Sequence, residues 1–210
     1  MMVLKDGVHA FCLSLGAMVQ IAYGIPEPSR ILGMPEWTKS GSWNIDAKVA
    51  GEDAATYGKL GKEDRSRMVQ KLLAERFHLK AHFDQREMPV YHLVIAKSGP
   101  KLKEATAEES GKAMLRGAVP GKIECVSMPL STLPVFLNRE LGRPTVDKTG
   151  LTGKYDFTLD FVSAAKAATD ETGGPSIFTA VEEQLGLKLE PAKEPMDVVV
   201  IDSIEQPDEN

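Results

Sequence analysis

The order of motifs in the first half of the chain recurs in the second, and this limits the available folds more than any other feature. FCLSLGAMVQIAYG, SWNIDAKV, MVQKLLAERFHLK and PVYHLVIA are followed by ECVSMPLSTLPVFL, KYDFTLDF, IFTAVEEQLGLKL and PMDVVVID. Ser14 and Ser127 stand 113 positions apart, Trp43 and Tyr155 112, Leu79 and Leu187 108, and Val94 and Val200 106. Short loop deletions account for the drift. Each half reads as a β-α-β-β-α-β-β unit, which predicts an α+β protein, internally duplicated, with both units packed as one protein. The expected divisions are 1–97 for the first repeat, 98–122 for a linker, and 123–210 for the second repeat with a short acidic tail.

Each piece has a physical reason. Ser14 and Ser127 precede helical apolar patterns, where a hydroxyl accepts from an otherwise orphaned backbone N–H, so both read as N-caps. Trp43, Ile45, Ala47 and Val49 alternate with polar residues, as do Tyr155, Phe157, Leu159 and Phe161, the period of a half-buried strand. Met68, Val69, Leu72, Leu73 and Phe77 recur at helical spacing, and Ile177, Phe178, Val181 and Leu185 do so after Ser176. Gly186 lies where the second helix needs a residue at positive φ, and His78 takes that place in the first half. LKAHFDQRE leading into PVYHLVIA, and LKLEPAKE leading into PMDVVVID, read as terminal hairpins, because proline suits a strand start better than a strand middle. Ala50 to Lys62, Ser163 to Pro175 and the linker are poor in large apolar residues and read as loops.

Charge narrows the function. The 210 residues carry 25 Lys and Arg against 30 Asp and Glu, a net charge of -5. Without excess positive charge the chain is not expected to bind nucleic acid. No apolar run approaches the length of a spanning helix. HAFCLSLGAMVQIAYGI resembles a signal-peptide core, but Ser14, Gly16 and Gln20 interrupt it and MMVLKDG before it has no net positive charge, so it is assigned to the fold.

Few motifs carry chemistry. DKTG at Asp147 to Gly150 matches the phosphorylation motif of cation pumps, yet neither their phosphatase-like domain nor their membrane helices accompany it, and it reads as a tight turn. If LKAHFDQREMPVYHL turned near Glu87, His82 would face His92 with His78 on the same side, the beginnings of a three-histidine zinc site. Cys12 and Cys125, 113 positions apart, are either small buried residues or a disulfide between the halves. No GxSxG or SxxK motif supports a nucleophilic serine. Trp37 in GMPEWTKSG, Arg143 in GRPTVD and Asp147 are the binding candidates. Trp37 is expected to plug the core beneath its loop.

GMPEW, LLAERFHLKAH, REMPVYHLVIAKSGPKL, GRPTVDKTGLTGKYDFTLDF, EQLGLKLE and VVVIDSIEQPDEN together resemble a soil-associated bacterial family of unknown function. Its members end in a similar VID-x-x-E-x-P-x-EN string, and some are fused to membrane metallopeptidases of the beta-lactam-sensor type. The resemblance implies an extracytoplasmic module and brings no catalytic residues. Arg76, Asp147, Gly150, Gly153 and Gly186 are accordingly assigned to turns, caps and packing. The expected function is non-catalytic: a cell-envelope binding or sensing module for a peptide, glycan or protein partner, with no cofactor. The alternative is a zinc-dependent or other hydrolase using His78, His82 and His92.

Overall fold

The computed structural model describes residues 2–4, 7–48, 60–106, 114–119, 121–163 and 173–207. Most of the expected Ala50 to Lys62 and Ser163 to Pro175 loops, and part of the expected linker, lie outside these residues. The chain is α+β. From the N-terminus it forms β1 (Met2–Leu4), β2 (Gly7–Leu13), α1 (Leu15–Tyr23), β3 (Ile31–Leu32), β4 (Trp43–Lys48), α2 (Lys62–Phe77) and β5 (Lys80–Ile95). After a two-residue β6 (Lys103–Glu104) come β7 (Met114–Val119), β8 (Lys122–Pro129), α3 (Leu133–Leu141), β9 (Thr145–Asp147), β10 (Lys154–Asp160), α4 (Ile177–Leu185) and β11 (Leu187–Ser203). The order β-β-α-β-β-α-β therefore runs from β1 to β5 and again from β7 to β11.

Two expectations need correction here. The terminal hairpins do not exist: KAHFDQREMPVYHL lies within β5, one strand of 16 residues, and LKLEPAKEPMDVVVID lies within β11, one strand of 17. The expected linker 98–122 also holds β6 and β7, because a leading hairpin opens each run of elements. Proline inside β5 and β11 misled the sequence reading. In the sheet ordered β3-β11-β5-β9, β9 faces only Tyr91 to Leu93 of β5, and β3 faces only Val199 and Val200 of β11. Along most of its length each long strand has one flank without a described partner strand, and a missing N–H breaks no ladder bond there.

The chain divides into two compact units, 1–86 with 195–210, and 87–194. This division cuts through β5 and β11 rather than following the expected 1–97 and 123–210. The first unit contains the sheet β1-β2-β4 and a core of Leu15, Met18, Val19 and Ala22 from α1, Val69, Leu73 and Phe77 from α2, and Val199 and Ile201 from β11. Ser14 caps α1 as expected, its Oγ accepting from Ala17 N at 3.3 Å. Glu63 and Asp64 in the first turn of α2 and Arg76 in its last complement the helix dipole. The second unit contains the sheet β6-β10-β8-β7, on whose buried Tyr155, Phe157 and Leu159 pack Leu133 and Leu137 of α3 and Val181 and Leu185 of α4. Burying each such leucine contributes about 1.5–3 kcal/mol.

Ser127 is not an N-cap. It sits in a β-bulge with φ +52, its N–H donating to Asp156 Oδ1 at 2.8 Å, while Cys12 sits in a bulge with φ +50 and its N–H donates to Asn44 Oδ1 at 2.9 Å. In each case an Asn or Asp side chain of the neighbouring strand holds the bulge. Both cysteines are free thiols; Cys12 is exposed, whereas burial pushes the Cys125 thiol up to about 11.

His78 and Gly186 both end their helices in the left-handed region, at φ +46 and +64. A Cβ on Gly186 would clash with the Gly99 carbonyl oxygen, because the chain after β5 folds back over this helix end, with Lys101 N donating to Leu185 O. Gly186→Ala is therefore expected to lose about 3 kcal/mol of stability in urea unfolding. His78→Gly relieves left-handed strain and is expected to gain up to about 1 kcal/mol. Equal destabilisation by both substitutions would contradict the shared cap geometry.

Candidate functional site

In the second unit the half-buried Tyr91 ring is met by an exposed cation and an exposed ring. Gly142 ends α3 in the left-handed region, at φ +63, and turns the chain through Arg143 and Pro144 into β9. Thr145 N then donates to Asn138 Oδ1 at 2.6 Å, tying β9 to the helix, and Tyr91 N donates to Pro144 O at 2.9 Å. Parallel pairing sets Tyr91 beside Thr145. The Arg143 guanidinium carbon stands 5.8 Å from the centroid of the Tyr91 ring. Phe178 meets the same ring edge to face, with centroids 5.3 Å apart and planes at 71°. Ser176 fixes the start of α4 by accepting from Thr179 N at 3.1 Å, so Phe178 projects from the first turn of a capped helix. Phe178 is 41% exposed, high for an aromatic side chain.

Strand alternation turns His92 away from the face that Tyr91 occupies. His92 Nε2 lies 3.0 Å from Glu194 Oε1, which also accepts from Lys148 Nζ at 2.7 Å. The hydrogen bond from Lys148 holds the Glu194 carboxyl below the usual carboxylate range. Asp147 is committed to its own turn: Oδ1 accepts from Thr149 N at 2.9 Å and from Thr149 Oγ1 at 2.7 Å, as the sequence led us to expect.

The first unit holds the remaining candidates. Trp37 lies in a 3-10 turn, Glu36–Lys39, and packs half-buried against the core, where it acts as a plug. His78 Nδ1 lies 3.0 Å from Glu205 Oε2, and His82 Nδ1 lies 2.9 Å from Asp202 Oδ2. The start of the acidic tail is docked, since Ile204 packs on this core and Glu205 N donates to Phe77 O.

The structure does not bring His78, His82 and His92 together. His82 and His92 are ten residues apart on one unbroken strand, and the first belongs to one compact unit and the second to the other. Each histidine faces a carboxylate instead, and among the described residues no three His, Cys, Asp or Glu side chains gather as a metal ion requires. Of the binding candidates, Arg143 and Asp147 bracket β9, but only Arg143 joins the stack. Tyr91 and Phe178 were missed because each reads as an ordinary apolar position of its strand or helix. Only the partnering of β5 with β9 reveals their association with Arg143.

The model of the family described as "Protein of unknown function (DUF3738)" matches residues 16–204. The chain belongs to this family. No curated protein and no solved structure matches the DUF3738 chain. Among the described residues of this DUF3738 protein, no helix is long and apolar enough to cross a membrane.

The Glu194 ion pair yields a pH test. A carboxyl held below its unfolded value adds stability above the carboxylate range and loses it as pH falls through the folded value. Glu194→Gln is therefore expected to lower the unfolding midpoint at pH 7, with the gap to the parent closing toward pH 3. A gap that does not change with pH would show that Glu194 acts through packing.

Proposed function

We propose that this chain is a non-catalytic binding or sensing module of the cell envelope, and that it takes a peptide or a peptide segment of a partner protein. The observation that carries this reading is the Tyr91, Arg143 and Phe178 stack. The exposed Arg143 and Phe178 meet on one half-buried tyrosine, and aromatic and arginine side chains dominate the energetics of recognition surfaces. The open flanks of β5 and β11, and the edge strand β7 with Met114 and Leu115 exposed, provide backbone groups beside which a peptide can lie as an added strand. Resemblance to envelope-associated relatives supports the location. A zinc hydrolase built on His78, His82 and His92 loses its support, because one extended strand separates two of the three ligands.

Thermal unfolding of the full chain in the presence of Zn²⁺, muropeptides and short peptides tests the proposal, since a ligand of the native state raises the midpoint by about RT ln(1 + [L]/Kd). The expected result is a saturable rise with peptide that is lost in Phe178→Ala, and no saturable rise with Zn²⁺. A rise with Zn²⁺ alone, abolished in His82→Ala, would overturn the binding reading.

A further inference from the structure

We propose that the Tyr91, Arg143 and Phe178 surface recognises the free C-terminal carboxylate of a peptide whose last residue is aromatic. The inference rests on the binding reading above and names the ligand of that same surface. Arg143 presents five N–H donors in one plane. Its guanidinium carbon stands over the Tyr91 ring, 5.8 Å from the centroid, and the side chain is exposed. Among the described residues Arg143 has no ion pair, although the chain carries 30 acidic residues and a net charge of -5. The neighbouring carboxylates are already engaged: Asp147 with Thr149, and Glu194 with Lys148 and His92. Among the described residues no carboxylate pairs with the exposed Arg143, which leaves it for an anion of another molecule.

The second half of the ligand follows from the rings. Guanidinium and Phe178 flank one tyrosine, at 5.8 Å and 5.3 Å from its centroid. A matching ligand carries its anion and its apolar surface close together. In a C-terminal phenylalanine both hang from a single Cα, so one residue spans cation and ring. An internal Asp or Glu has no ring at that separation, and inorganic phosphate has none at all. A carboxylate also accepts two parallel N–H bonds from guanidinium, which a terminal amide does not.

The test is an amide ¹H–¹⁵N NMR titration of the full chain with N-acetyl-Ala-Phe as the free acid, with its C-terminal amide, with N-acetyl-Ala-Ala as the free acid, and with phosphate. The free acid is expected to give saturable shifts centred on Tyr91, Arg143 and Phe178. The amide and the Ala-Ala acid are each expected to bind about tenfold more weakly. Arg143→Gln is expected to abolish the acid's advantage over the amide with the rest of the spectrum unchanged, and Arg143→Lys to restore part of it. Amide binding as tight as acid binding, phosphate binding as tight as the peptide, or shifts centred elsewhere would each overturn the carboxylate assignment. If other peptides still raise the unfolding midpoint, that failure removes the ligand class and leaves the binding module standing. If no peptide does, the binding reading itself fails.

Discussion

The rest of the structure depends on the hydrogen bonding of two long strands, β5 and β11, that neighbour one another in one sheet. Side-chain pairs fix their direction: Glu87 meets Lys193, Gln85 meets Asp197 and His82 meets Asp202, so one strand rises in number as the other falls. Each strand serves two cores. β5 gives Ala81 to one and Leu93 to the other, and β11 gives Leu187 and Leu189 to one and Val199 and Ile201 to the other. Each is also met on its far side by the short third strand of the opposite half, β9 on β5 and β3 on β11. The last strand of either half is thus built into the company of the other, which is why the compact units break the chain at Arg86 and Pro195 rather than in the interval between the halves.

Local signals were legible where local physics decides. Ser14 caps its helix, Trp43 and Tyr155 open alternating strands, and Gly186 takes the left-handed cap. Tyr91 of β5 and Val199 of β11 each lie opposite a short parallel neighbour. What the sequence hid was set by partners distant along the chain. Proline in β5 and β11 looks like a boundary until the neighbouring strands prove too short to require its N–H. The two bulges lie at Cys12 and Ser127, two positions away from the pairing that serine and cysteine matches suggested, because the Asx side chains that hold them, Asn44 and Asp156, lie on other strands.

The candidate site follows the same logic. Arg143 was visible as a cation beside a turn, but its aromatic support comes from β5 and α4, 52 positions before it and 35 after it. The three-histidine site failed for the complementary reason: His82 and His92 face each other only in a hairpin, and the ladder of β5 keeps the chain extended. Their carboxylate partners sit on β11 and the segment that follows it, so these histidines pair with carboxylates where the alternative reading placed a metal.

The continuity of β5 is tested most directly by cross-strand nuclear Overhauser contacts in solution. The structure predicts parallel-strand contacts of Tyr91 and His92 with Thr145 and Val146, and of Val199 and Val200 with Ile31 and Leu32. Hα to Hα contacts between His82 and His92, with those parallel-strand contacts missing, would restore the hairpin and contradict the strand arrangement on which both cores and the binding surface rest.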